Sequence, residues 1–126
     1  MDHLVDANIL VDLTRGNLKA ADYLDSLAEG WSVSVITCLE LLAGARTQRE
    51  TTDLDFVLSG YRAIPPNEDI CRRAYYLMRT CGRSHGLHTL DALIAGTALE
   101  EGLTLVTKNR KHFQLIGDLS LEVPTY

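Results

Sequence analysis

Residues 103–113 read LTLVTKNRKHF. Leu103 to Thr107 is a short apolar, β-branched run of the kind that forms a buried strand. Directly after it come Lys108, Arg110, Lys111 and His112, grouped around Asn109. Upstream, Thr89 to Glu101 carries a helical pattern that stops at Gly102, a common helix terminator. The unit is therefore a helix, a turn and a strand whose carboxyl end opens into polar residues.

The same alternation runs through the rest of the chain. His3 to Val5 is a short strand that stops at Asp6, and Ala7 to Leu13 a short helix ending near Gly16. Asn17 caps a second helix with Leu18, Ala21, Leu24 and Ala28 on one face. Ser32 to Ile36 reads as a strand, Thr37 opens a helix to about Ala45, and Thr52 to Leu58 is helical. Arg62 to Ile64 is a short strand. A long helix after Asn67 carries Ile70, Ala74, Leu77 and Cys81 as one stripe, and Leu121 to Val123 is a last strand. Alternating strands and helices predict one α/β domain over residues 1–126, a mostly parallel sheet with helices on both faces. Such sheets bind ligands at the carboxyl ends of their strands.

The formal charge is -5 and the pI about 5.2, so nucleic acid can be attracted only by local patches. The three cysteines are odd in number and form no C-x-x-C, which favours a reducing cytoplasm over a disulfide scaffold. Acids interrupt the opening run MDHLVDANILVDL, against a signal peptide, and no apolar stretch approaches the ~20 residues of a membrane span.

Asp6, Glu40, Asp91 and Asn109 all fall at the carboxyl edge of the expected sheet. Two carboxylates ~4 Å apart repel by about 1 kcal/mol in water and about 4 at an effective dielectric of 20. A cation offsets that repulsion, and oxygen ligands select a hard ion, Mg²⁺ or Mn²⁺. A structural alternative stands beside this. Thr37-x-x-Glu40 is also a capping box, and the helix dipole alone favours an acid at Asp91. Asp6 is harder to explain that way, because a buried lone carboxylate is costly. Asp12 reads as a solvated or capping acid.

VDANIL, with Asp6 and Asn8, resembles the opening motif of PIN domains; ITCLELLAGA, with Glu40, resembles their second motif, TLDALIAGTAL, with Asp91, the third, and LVTKNRKHF the fourth. The four occur in the family's order across nearly the whole chain, which has the size of the VapC-type toxins. The resemblance implies a three-layer α/β/α PIN-like fold and an Mg²⁺- or Mn²⁺-dependent endoribonuclease. It implies catalytic and metal roles for Asp6, Glu40 and Asp91, a catalytic role for Asn109 and supporting roles for Asn8 and Thr107. It further implies an RNA substrate, a cognate antitoxin and a homodimer. Fuller fourth motifs carry an acid near Asn109 or His112. Its lack here leads to the expectation of one firmly held metal.

Lys108, Arg110, Lys111 and His112 would contact RNA phosphates beside such a site, or be a solvated turn. Arg46 and Arg49 read as a solvated extension of that track, and Arg72, Arg73, Arg79 and Arg83 as a solvated helix face. Cys71, Cys81, His85 and His88 lack structural-zinc spacing; Cys71 and Cys81 suit burial, and the histidines belong to a loop before Asp91. Tyr75, Tyr76, Leu77 and Met78 divide between core and partner surface. Alternatives to the ribonuclease are a non-catalytic PIN-like binding module and another metal-dependent phosphodiesterase.

Overall fold

The computed structural model describes residues 2–126, so Met1 of the expected domain lies outside it. Five strands form one sheet: β1 (His3–Val5), β2 (Trp31–Ser34), β3 (Arg62–Ile64), β4 (Thr104–Val106) and β5 (Leu121–Glu122). Their order is β3-β2-β1-β4-β5, and every neighbouring pair is parallel. The helices are α1 (Ala7–Thr14), α2 (Leu18–Asp25), α3 (Val35–Gly44), α4 (Gln48–Leu58), α5 (Glu68–His85), α6 (Thr89–Glu101) and α7 (Arg110–Phe113).

Alternate side chains of each strand enter opposite cores. Leu4 and Leu105 join a core with α5 and α6, while Val5 and Val106 join one with α1 and the Leu54 of α4. All four strand residues are fully buried. This two-sided burial accounts for strands that are apolar throughout rather than alternating. In α5 the buried residues are Ile70, Ala74, Leu77 and Cys81, the stripe expected from the sequence. Helix α6 is buried on several sides, and a Cβ on its Gly96 would stand 3.1 Å from the Ile70 carbonyl oxygen. Glycine therefore lets α5 and α6 approach closely.

Several boundaries differ from expectation. Strand β2 ends at Ser34 because the Ser34 hydroxyl accepts from the Ile36 N–H at 3.0 Å and starts α3 there. Helix α4 begins at Gln48, capped by Thr47, and Leu18 of α2 is 77% exposed. Helix α5 runs on through His85 to a left-handed Gly86. Cys71 is exposed, while Cys81 is buried. Arg73 is not merely solvated: its Nη2 lies 2.6 Å from Glu100 Oε2, linking α5 to α6. The short α7 follows from Phe113, whose complete burial draws the turn after β4 back against the core. No helix among the described residues is long and apolar enough to cross a membrane.

The order reverses at β1. The next strand in sequence pairs on one side of it, and β4 pairs on the other. The carboxyl ends of β1 and β4 thus flank the topological switch point, where such sheets bind ligands.

Candidate active site

Asp6 ends β1 and caps α1, with extended backbone at φ -79 and ψ 160. Its Oδ1 accepts from the Ala7 N–H at 2.8 Å. Its Oδ2 accepts from the Thr107 hydroxyl at 2.7 Å and from the Asn8 amide at 3.3 Å. Parallel pairing of β1 with β4 sets Thr107 beside it, as the Asp6 N–H donates to the Val106 carbonyl at 2.9 Å. The Thr107 oxygen also accepts from the Asn8 amide at 3.2 Å and from the Asn109 N–H at 3.0 Å. Asn8 Oδ1 in turn accepts from the Lys108 N–H at 3.1 Å. One carboxamide therefore ties the β1–α1 junction to the turn after β4.

Burial pushes the Asp6 carboxyl above its ordinary range, although the Thr107 and Ala7 hydrogen bonds oppose this. The negative charge of Asp91 raises it further, and His112 works the other way. Glu40 is also raised, first by burial and then by the charges of Asp6 and Asp91. Asp91 lies in the first turn of α6, its side chain 22% exposed. The three acids thus act on one another electrostatically, although their elements are far apart in sequence.

Glu40 is not the helix cap that its spacing from Thr37 allowed. Ser34 is the cap, so Glu40 belongs to the second turn of α3. The real S/T-x-x-E cap is ten residues on, where the Thr47 hydroxyl accepts from the Glu50 N–H at 3.1 Å. Glu50 Oε2 accepts from the Arg46 N–H at 2.6 Å.

The gathering of Asp6 and Glu40 about the charge of Asp91 fits a hard divalent cation, whose charge relieves the repulsion among oxygen ligands. Among the described residues, no three His, Cys, Asp or Glu side chains close around one point as a ready-made cage.

The remaining expected residues divide. Asn109 is exposed and precedes α7 without capping it through its side chain. Arg110 and Lys111 are exposed and form no ion pair among the described residues. Lys108 is engaged: its Nζ lies 2.6 Å from Asp12 Oδ2, which also accepts from the Tyr126 hydroxyl at 2.8 Å. Asp12 is accordingly a partner, and the Lys108 hydrogen bond holds its carboxyl below the ordinary range. His112 Nδ1 stands 3.2 Å from Asp91 Oδ2, and its ring centroid 5.7 Å from that of His88. His85 instead meets Ser84 at the end of α5. A groove of about 530 Å³ leads from Ala7 and Glu40 past Arg15 and Arg46 to Leu54. The Asp12–Tyr126 and His88–His112 contacts join segments distant in sequence and carry no local signal.

Residues 3–119 match the family model described as PIN domain. The chain is 38% identical over 119 residues to ribonuclease VapC10 of Mycobacterium tuberculosis, covering 92% of this chain and 89% of that protein. Among solved structures it is similar to VapBC2 from Rickettsia felis bound to a promoter DNA fragment, with a TM-score of 0.86, 29% identity and 98% of both chains covered. A toxin–antitoxin complex from Klebsiella pneumoniae aligns with a TM-score of 0.83 and 30% identity, again over 98% of both chains. With the strand order and the placement of Asp6, Glu40 and Asp91 already in hand, these matches establish that the chain belongs to the PIN-domain family.

Proposed function

We propose that the chain is a divalent-metal-dependent endoribonuclease acting as the toxin of a VapBC-type pair. One observation carries this reading: Asp6, at the carboxyl end of β1, and Glu40 of α3 lie near enough to Asp91 of α6 to feel its charge, so three acids from separate elements gather at the switch point. Similarity to ribonuclease VapC10 and to toxin–antitoxin complexes supports the substrate class and the antitoxin partner.

Bound Mg²⁺ or Mn²⁺ would supply charge to a phosphoryl oxygen and acidify a water. Asp6 and Asp91 would hold it, Thr107 and Asn8 fixing the Asp6 carboxylate in one orientation. Glu40, half-buried on the α3 side, orients the attacking water and takes its proton. Asn109 contacts the scissile phosphate region, and Arg110 and Lys111 hold flanking phosphates. Exposed Tyr75 and Tyr76, at 69% and 64%, offer apolar area for a second copy of the chain.

The test compares wild type with Asp6→Asn and Asp91→Asn on RNA and DNA oligonucleotides, with Mg²⁺, Mn²⁺ or EDTA. RNA cleavage should require metal and fall at least 100-fold in either variant, a loss of more than about 2.7 kcal/mol of barrier lowering. Undiminished cleavage by repurified Asp6→Asn protein would overturn the assignment.

A further inference from the structure

His88 and His112 come from different elements, the residue before α6 and the last turn of the chain's basic segment, yet their rings meet at 5.7 Å between centroids and 51° between planes. Both residues are exposed. His112 is steadied from behind by Asp91, 3.2 Å from its Nδ1, and by its backbone N–H, which donates to Asn109 at 3.1 Å. His88 precedes α6 but makes no side-chain cap, so its ring is not occupied by helix termination. A histidine whose task was to cap or to pair would not need a second imidazole beside it.

We infer that His88 and His112 form an aromatic seat for one unpaired base of the RNA, the base adjoining the phosphate that the metal held by Asp6 and Asp91 would contact. This inference rests on the ribonuclease reading and assigns a recognition element to it. Single-stranded RNA is held by stacking of splayed bases on aromatic rings, histidine included. Phosphate contacts by Arg110 and Lys111 position the strand but carry no sequence information. Two tilted rings beside Asp91, which would help hold the metal at the reacting phosphate, place the base within one nucleotide of the cut. The pair is therefore a specificity-determining element, acting through the ring faces and not through imidazole charge.

The experiment has two arms. In the first, single-stranded RNA carrying 2-aminopurine at one position is titrated in EDTA with wild type, His88→Ala, His112→Ala, and the Phe variants of both. Stacking quenches 2-aminopurine, so wild type and the Phe variants should quench while the Ala variants bind about tenfold more weakly and quench little. In the second arm, cleavage of a randomised RNA pool is followed by 5′-end sequencing. The Ala variants should raise KM about tenfold with kcat within about threefold, and flatten the base preference beside the cut. Phe should restore both. An abasic nucleotide at that position should erase the difference between wild type and Ala variants.

Absence of quenching by wild type overturns the seat. So does loss of kcat in His112→Ala that Phe fails to restore, which would make His112 a positioning residue for Asp91. Quenching with no metal-dependent cleavage would instead retain the seat and refute the nuclease reading, so the two fail separately.

Discussion

The Thr107 hydroxyl donates to Asp6 Oδ2 at 2.7 Å across 101 positions of sequence. It also accepts from Asn8 and from the Asn109 N–H, so one small side chain connects Asp6 to the turn that follows β4.

Replacing Thr107 by Val removes the donor that lowers the Asp6 pKa. Asp6 then binds its proton more tightly, and the acidic limb of the kcat/KM profile should move to higher pH. Ser should restore the limb. Leaving a buried carboxylate oxygen short of a donor should also cost about 1–3 kcal/mol of stability, measurable by urea unfolding.

In metal-free protein, Asp6 and Glu40 should behave in the reverse of the usual carboxylate pattern. Asp6 and Glu40 have folded-state pKa values raised above the ordinary 3.8 and 4.5, so the folded state binds more protons than the unfolded one. Their contribution to stability is then highest below the ordinary values and declines as pH rises through the raised ones, while Asp12, held low, contributes with the opposite sign. In EDTA at pH 7, Asp6→Asn should melt at or above the wild-type temperature, an advantage that fades toward pH 3. Mg²⁺ should raise the wild-type Tm and leave that of Asp6→Asn unchanged. A wild-type protein in EDTA that grows steadily more stable from pH 4 to 7 relative to Asp6→Asn would contradict this.

Two glutamates with the same sequence signature should separate cleanly. Thr47→Ala removes the true cap and should cost about 0.5–2 kcal/mol with cleavage per folded molecule retained. Glu40→Gln should abolish most cleavage while leaving urea stability near wild type or above it. Paired denaturation and activity measurements on the two variants check both halves.

Arg110→Ala and Lys111→Ala should each weaken RNA binding about equally for all sequences and reduce the salt slope by about one. Lys108→Ala should change the slope less, because Asp12 already neutralises that ammonium. Its cost in stability should stay within about 1 kcal/mol, as for other exposed pairs. Fluorescence anisotropy over a series of salt concentrations distinguishes the three.

The alternation of elements and the switch-point acids could be read directly from sequence because each leaves a local trace. Val5–Asp6 and Val106–Thr107 are abrupt changes from apolar to polar, and the α5 stripe has helical period. The misreadings arose where one local pattern serves two purposes. Thr37-x-x-Glu40 and Thr47-x-x-Glu50 fit the same pattern, and only Ser34, by taking the cap of α3, frees Glu40 from that role. Contacts such as Lys108 with Asp12, or His112 with His88, depend on which strands lie adjacent and leave no periodic signature. The short α7 has four residues, too few for a period to show in sequence; its cause is the burial of Phe113.

The central position of β1, paired on one side with β2 and on the other with β4, bears on when the protein can act. Thr107, the chief hydrogen-bond donor to Asp6, is made 101 residues after it. Pairing of such distant segments is slow to form and must await the downstream strand. A nascent chain still lacking β4 carries Asp6, Glu40 and Asp91 without the Thr107 hydrogen bond and the strand pairing that fix Asp6, so the site is assembled only once that strand is made.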